Sequence, residues 1–422
     1  MKKILKIIVA FALSAALLLT GCTGVIGAGG GDLMAEIVPA TWPAAPDQLD
    51  SKFSADVSDF SWDIFKNSGK NSGNVLISPV SIYLALGMAL NGAQGETREA
   101  MLEALRSKGL TEEELNTACR DWISFLKQTS GKTQLSVADS IWYRLGFEAD
   151  KEFLQKNADF FAAAARSLDF NKPEAVETIN GWVKDNTKGV IDSIIDKIDA
   201  DVVMYLINAV YFKGTWQTPF EASKSFDGQF AAPSGSVDVK YMHSESNLSY
   251  IDRDGALGVI LPYDDGRFSF FAILPAEGTD VRAFLDSLDS ASASELLSNL
   301  KEGTVNLTLP KFEIAYEDSL INELTDMGMG VAFDPGYADL SGMNASHEKD
   351  LYIGEVKHKT FCRVDELGTE AGAVTSVEIP LTAIAPENTV VITFDHPFIY
   401  GIMDGDTGLP LFLGLMEDPS KK

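Results

Sequence analysis

Residues 365–383 combine two properties in one segment, and they constrain the fold of this chain more than any other stretch. Every second residue from Thr369 to Leu381 is small or apolar, and the residues between them are mostly polar. This period of two is typical of a β-strand with one buried face. The small side chains, with glycines at 368 and 372, equally suit an exposed loop. The pattern permits two interpretations: an ordinary edge strand followed by a loop, or a segment that can exist either as a loop or as a strand.

The composition excludes several classes of protein. The chain has 422 residues, of which 45% are hydrophobic, so it can bury a large core and is not intrinsically disordered. Its formal net charge of −27 argues against nucleic-acid binding and against attachment to anionic lipid by a basic face. Three cysteines without a CxxC pair argue against a disulfide scaffold and against a zinc site of that type.

The N-terminal residues have the pattern of a secretion signal. Lysines stand at three of the first six positions, and an apolar run follows from Ile7 to Leu19. The run ends in Leu19-Thr20-Gly21-Cys22, which resembles the bacterial lipobox. We expect residues 1–21 to be removed, the Cys22 thiol to be lipidated, and the protein to be anchored at the cell envelope. The alternative is an ordinary signal peptide that happens to contain a cysteine.

The rest of the chain divides simply. Residues 22–50 are rich in glycine, alanine and proline, which predicts a flexible tether. Residues 51–422 are expected to form one domain, because no second linker interrupts them. Within it, Ser78-Pro79 marks the start of a buried helix, and Met204–Phe212 reads as a strand covered on both faces. Helical patterns cluster early and strand patterns late, which favours an α+β fold.

Enzyme chemistry has no support in the sequence. The chain has no GxSxG, HExxH or GxGxxG motif in a strand–turn–helix setting. The four histidines are too far apart in the sequence to indicate a local metal site. Cys119 and Cys362 are interpreted as structural thiols, although a disulfide between them stays open. We therefore expect neither catalysis nor a cofactor.

Several motifs, in the same order along the chain, resemble the serpin family. The segment 366–375 is similar to the serpin hinge, and the segments 395–400 and 408–414 are similar to its C-terminal signature. Further similarities occur at 74–81, 179–191, 208–216 and 309–312. The similarity therefore extends over most of the chain after residue 50.

The resemblance implies a particular fold and mechanism. Serpins have three β-sheets, eight or nine helices and an exposed reactive loop, here at about residues 366–390. A target serine protease cleaves the loop and is held as an acyl-enzyme while the hinge inserts into the main sheet. The hinge residues carried over are Glu366, Gly368, Thr369, Glu370, Ala371, Gly372, Ala373, Val374 and Thr375. The alternate residues from Thr369 to Thr375 would face inward after insertion, and none of them carries a charge. This favours an inhibitor over a non-inhibitory serpin-fold binding or scaffold protein.

The resemblance also locates the reactive bond. Family spacing from Gly368 places it at Thr382–Ala383, with Leu381–Thr382 and Ala383–Ile384 as neighbouring alternatives. The chain has no arginine or lysine between residues 364 and 420, which makes a trypsin-like target improbable. A threonine before the bond suits elastase-like or some subtilisin-like proteases, whereas a leucine would suit a chymotrypsin-like pocket.

The resemblance to serpins also implies roles for residues outside the reactive loop. Ser78, Ser81, Asn208 and His358 match the shutter, a buried polar cluster under the strands that must part. Trp216 matches the breach, where the hinge first enters. Thr111–Leu115 is acidic, so a heparin-type cofactor is not expected. We expect a monomer whose partner is a protease held covalently, and whose only membrane contact is its lipid.

Overall fold

The computed structural model describes residues 30–200, 202–369 and 389–422. The predicted signal peptide, Cys22, the hinge from Glu370 to Thr375 and the predicted reactive bond lie outside these ranges.

Nine α-helices occur in the described residues, and six of them precede residue 190. Side chains cap several of them. Ser78, at the predicted start of α2, accepts a hydrogen bond from the Ser81 amide, and Thr111 forms a capping box with Glu114. Short 3₁₀ turns lie at Ala222–Lys224, Gly330–Phe333 and Ser341–Met343, and a π turn at Thr325–Met329. The helices are α1 (Ser51–Ser68), α2 (Pro79–Leu90), α3 (Gly95–Ala104), α4 (Glu112–Leu126), α5 (Lys151–Phe161), α6 (Pro173–Asn186), α7 (Val281–Ser287), α8 (Ser290–Ser298) and α9 (Ile321–Leu324).

Fifteen strands occur in the described residues, and twelve begin after residue 200. The early helices and late strands agree with the α+β interpretation. The strands are β1 (Val75–Ile77), β2 (Gln134–Arg144), β3 (Ala164–Leu168), β4 (Met204–Thr215), β5 (Phe226–Ala232), β6 (Gly235–Arg253), β7 (Ala256–Pro262), β8 (Phe268–Leu274), β9 (Lys301–Pro310), β10 (Phe312–Ser319), β11 (Lys357–Asp365), β12 (Gly368–Thr369), β13 (Val390–Thr393), β14 (Phe398–Asp404) and β15 (Pro410–Met416).

Hydrogen bonding joins these strands into two networks. One is a six-stranded sheet in the order β10-β11-β12-β4-β2-β3. The other has nine strands in the order β1-β15-β14-β8-β7-β6-β9-β13, with β5 also paired to β6. The resemblance to serpins implies three sheets, whereas the described strands form two networks, because β6 is 19 residues long and takes part in more than one set of strand pairs. Its first residues pair with β5 and its last with β7.

Helix α2 lies between the two networks and forms the centre of the main core. Eleven of its twelve residues are buried, and it packs against β4 on one side and β15 on the other. Helix α6 covers the opposite face of the six-stranded sheet, where Ile179 packs with Trp142 and Ile207. Strand β4 is therefore covered on both faces, which accounts for its continuous apolar sequence.

The segment 30–50 packs on the domain. The Leu33 amide donates to the Ala165 carbonyl of the edge strand β3, and the Trp42 indole donates to the Asp159 carbonyl of α5. The Lys127 ammonium lies 5.2 Å from the centre of the Trp42 ring. Within the expected tether of residues 22–50, the described residues 30–50 thus make contacts with the domain that their glycine and proline content did not predict. No helix in the described ranges is long and apolar enough to cross a membrane.

Candidate functional site

The hinge begins inside the six-stranded sheet. Gly368 and Thr369 form β12, which pairs antiparallel with β11 on one side and with β4 on the other. Thr369 stands opposite Val364 of β11 and Gly214 of β4. Among the described residues, β4 and β11 are joined only through this two-residue strand. Strand β12 therefore connects the two parts of the six-stranded sheet, β10-β11 and β4-β2-β3.

Glycine at 368 follows from the closeness of this approach. A Cβ atom at this position would lie 2.0 Å from the Gly214 carbonyl oxygen. This oxygen belongs to the backbone of β4, which cannot move aside as the end of a flexible side chain can. Any other residue at 368 would therefore push β12 away from β4. The predicted hinge residue Gly368 is thus required by the pairing of the strand that it starts.

Aromatic side chains line the entrance to the sheet. The Thr369 hydroxyl lies 2.5 Å from that of Tyr263, and both residues are buried. The Tyr263 ring stacks on Trp216 with centroids 4.9 Å apart. Trp216 holds the turn before the hinge, because its indole donates to the Asp365 carbonyl and its amide donates to the Leu367 carbonyl. Trp216, the predicted breach residue, thus contacts the turn before β12 directly, and Tyr263 was not predicted as a site residue.

An ion pair fixes the residue two positions before β12. Glu366 and Lys311 lie 2.7 Å apart, and the Ser225 hydroxyl donates to the same carboxylate at 2.8 Å. Burial opposes the charge on Glu366, but these hydrogen bonds outweigh it and hold the pKa of the carboxyl below its ordinary value. Glu366 was predicted as a hinge residue and Lys311 lies in a segment similar to the family, but their ion pair was not predicted.

A polar cluster lies deeper in the domain, at the start of α2. The Ser78 amide donates to Nε2 of His358 at 3.0 Å, and the Ser78 hydroxyl accepts from the Ser81 amide. The structure therefore brings together three of the four predicted shutter residues. Thr360, which was not predicted, adds a hydrogen bond from its hydroxyl to the Leu76 carbonyl. Burial lowers the pKa of His358 to about 3, so the imidazole is neutral and can accept from Ser78.

The fourth shutter residue has a different partner. Asn208 of β4 donates from Nδ2 to Oδ1 of Asp139 in β2 at 2.8 Å. Burial raises the pKa of Asp139 to about 7, although the hydrogen bond from Asn208 and the charge of Lys127 oppose the shift. Asp139 was not predicted as a site residue. Its position could have indicated a role, because it is an acidic residue on the same side of the strand as Val137 and Ile141, which is the buried side.

The described residues hold no group of three or more histidine, cysteine or acidic side chains that could bind a metal ion. Cys119 in α4 and Cys362 in β11 are both buried. The chemistry of the site lies in strand pairing and buried hydrogen bonds.

Comparison with known proteins agrees with this architecture. The family model for Serpin (serine protease inhibitor) matches residues 55–419, and the chain belongs to the serpin family. Among relatives, an uncharacterized serpin-like protein of Thermococcus kodakarensis is 35% identical, with 86% of this chain and 85% of the relative covered. A leukocyte elastase inhibitor of Equus caballus is 30% identical, with 85% and 97% covered. The crystal structure of the thermophilic serpin tengpin in its native state superposes with a TM-score of 0.85 at 40% identity, and covers 92% of this chain and 99% of tengpin.

Proposed function

We propose that this serpin is a suicide-substrate inhibitor of serine proteases. The protease serine oxygen attacks the carbonyl carbon of Thr382 and forms an ester. The Thr382–Ala383 peptide bond breaks, and its nitrogen leaves with a proton from the protease histidine. Insertion of the freed hinge between β4 and β11 then carries the acylated protease away before water can cleave the ester. The observation that carries this proposal is β12, which occupies the entrance between those two strands.

The register of β12 specifies how insertion would continue. Thr369 pairs with Gly214 and Val364, and both neighbouring strands run antiparallel to it. With this register continued, Thr375 comes opposite Asn208 on β4 and His358 on β11. The inward residues along this path would be Ala371, Ala373 and Thr375, which are small and uncharged and so avoid the cost of burying a charge. Insertion would complete a ladder of backbone hydrogen bonds on both sides of the new strand.

The residues around the bond favour an elastase-like or subtilisin-like target. Threonine before the bond is small, and the absence of nearby basic residues disfavours a protease whose pocket carries an acid. The similarity to a leukocyte elastase inhibitor supports the same class. If the bond is Leu381–Thr382, a chymotrypsin-like target fits better, and Ala383–Ile384 is the third alternative.

We further propose that a lipid on Cys22 anchors the protein to the cell envelope. The lipobox-like tetrapeptide supports this location. The protein should fractionate with membranes, and Cys22→Ala should release it. Equal membrane binding of the Cys22→Ala protein would contradict the anchor without affecting the inhibitory proposal.

A protease panel tests the inhibitory proposal. The protein is incubated with elastase-like, subtilisin-like and chymotrypsin-like enzymes, and the products are separated in SDS. An SDS-stable complex with at least one enzyme is expected, and the mass of the released C-terminal fragment identifies the bond. Loop cleavage without a complex across the whole panel would instead indicate a non-inhibitory binding or scaffold protein.

A further inference from the structure

The segment 30–50 joins the domain at a defined point on the six-stranded sheet. Its first residues lie antiparallel to the edge strand β3: the Ser167 amide donates to the Gly31 carbonyl at 2.9 Å, and the Leu33 amide donates to the Ala165 carbonyl at 3.0 Å. Followed backwards from Leu33, the chain therefore runs toward the C-terminal end of β3 and out of the sheet.

Strand register shows how far this exit point is from the hinge. Ser167 of β3 stands beside Tyr143 of β2, which in turn pairs with Met204 of β4. Thr369 of β12 stands opposite Gly214, near the other end of β4. Met204 and Gly214 are ten positions apart on one extended strand, which corresponds to about 33 Å. The chain thus leaves the sheet at the end opposite the hinge.

Further contacts hold the segment 30–50 against the domain beyond β3. The Ala40 amide donates to Oδ1 of Asp159 in α5 at 2.7 Å, and the Trp42 indole donates to the carbonyl of the same residue. The segment is therefore fixed at both β3 and α5. Only the chain before Gly30 is left to span the distance between the domain and a membrane.

The reach of that chain is short. This step rests on the proposed lipid at Cys22. Gly30 follows Cys22 by eight positions, and eight residues span at most about 28 Å even when fully extended. This reach is shorter than the distance of about 33 Å between the exit point and the hinge. Without the contacts of the segment 30–50, the 29 positions from Cys22 to Ser51 would span up to about 100 Å and would permit every orientation.

We propose that the end of the domain formed by the C-terminus of β3 and the start of α6 faces the lipid bilayer, and that the hinge faces away from it. The reach of the chain excludes the inverted orientation. The formal net charge of −27 repels the sides of the domain from an anionic bilayer. The partner that suits this orientation is a protease that arrives in solution, and not one embedded in the same membrane.

Energy transfer to the lipid tests this orientation. The full-length lipidated protein is placed in vesicles of phosphatidylcholine and phosphatidylglycerol that contain an acceptor-labelled lipid. A donor dye is attached to one new cysteine, either Thr218→Cys, in the turn that bonds to Glu366, or Glu174→Cys, in the first turn of α6. Both positions are exposed, whereas Cys119 and Cys362 are buried and should not react with the dye.

The two labels should differ clearly. We expect energy transfer from the label at Thr218 to be about threefold weaker than from the label at Glu174, because it lies about 33 Å further from the lipid. Equal transfer from both labels, or stronger transfer from Thr218, would overturn the orientation. Loss of transfer from both labels would overturn the lipid anchor and the orientation together, while leaving the inhibitory proposal intact.

Two matched insertions test whether the docked segment sets the orientation. About 20 glycine and serine residues inserted before Gly30 let the chain reach past the whole domain, so the difference between the labels should be lost. The same residues inserted between the exposed Asp47 and Gln48 follow the contacts of Gly31 and Trp42, so the difference should be retained. The same result with both insertions would show that the docked segment does not control the orientation, and would overturn the proposal.

Discussion

The hydroxyl of Tyr263 lies 2.5 Å from the hydroxyl of Thr369, inside the sheet and beside the stacked ring of Trp216. This contact joins β12 to a residue just beyond the end of β7, in the other strand network. Thr369 is therefore held in the sheet by its side chain as well as by its backbone.

Removing this contact should loosen the hinge. Tyr263→Phe retains the ring but deletes the hydrogen bond, at a cost of about 1 kcal/mol. We expect amide hydrogen exchange at 368–369 to become about fivefold faster. Tyr241→Phe is the matched control, because it deletes a hydrogen bond to the Gln229 carbonyl within the hairpin of β5 and β6. Equal exchange in both variants would contradict a holding role for Tyr263.

The ion pair between Lys311 and Glu366 should stabilise the turn before the hinge. Its side chains are 32% and 14% exposed, so solvent screens the pair only in part. A double-mutant cycle with Lys311→Met and Glu366→Gln should give a coupling energy of about 0.5–1 kcal/mol at neutral pH. Because the folded-state pKa of Glu366 is lowered, this stabilisation is present above the unfolded pKa and is lost as the pH falls through the folded value.

The more exposed pair of Lys301 and Asp252 provides the comparison for that cycle. Its coupling energy should be smaller and should disappear at high salt. A coupling at Lys311 and Glu366 no larger than this would show that the pair does not stabilise the hinge turn.

His358 should make the domain sensitive to acid. Its pKa is about 3 when folded and near 6.5 when unfolded, so the unfolded chain binds more protons between these values. Stability is therefore lost as the pH falls below about 6.5, by about 2 kcal/mol at pH 5. His358→Gln retains an acceptor for the Ser78 amide and should remove this loss.

Urea unfolding at pH 7 and pH 5 measures the effect. Asp139 acts in the opposite direction, because its raised pKa makes the folded state bind more protons, so the informative quantity is the difference between the wild type and His358→Gln. The exposed His347 supplies the control variant His347→Gln. If His358→Gln and His347→Gln change the acid sensitivity equally, the buried imidazole is not its cause.

Local patterns predicted much of this fold. The Ser78-Pro79 start of α2 and the apolar sequence of β4 could be predicted, because a helix cap and a strand buried on two faces each have a characteristic sequence pattern within a few residues. The hinge was predicted from its period of two and its similarity to serpins, and of its residues the structure describes Gly368 and Thr369 in the strand β12.

The partners within the site were less predictable. Asp139 meets Asn208 and Tyr263 meets Thr369 because of the register between strands that are distant in sequence. No local period encodes such a register. The contacts of the segment 30–50 could not be predicted for a similar reason: the indole of Trp42 donates a hydrogen bond to α5, although the surrounding composition is that of a linker.

Insertion of the hinge into the six-stranded sheet, which would trap the protease, can be tested by adding an arginine at two adjacent positions. Thr369→Arg places it on the side of the strand that would face inward, and Glu370→Arg places it on the side that would face outward. After incubation with an elastase-like protease, the wild type and Glu370→Arg should form SDS-stable complexes. Thr369→Arg should be cleaved as a substrate, because the position of Thr369 between β4 and β11 is buried and a charge there would keep β12 out of the sheet, so that insertion could not start. An undiminished complex with Thr369→Arg would contradict the mechanism.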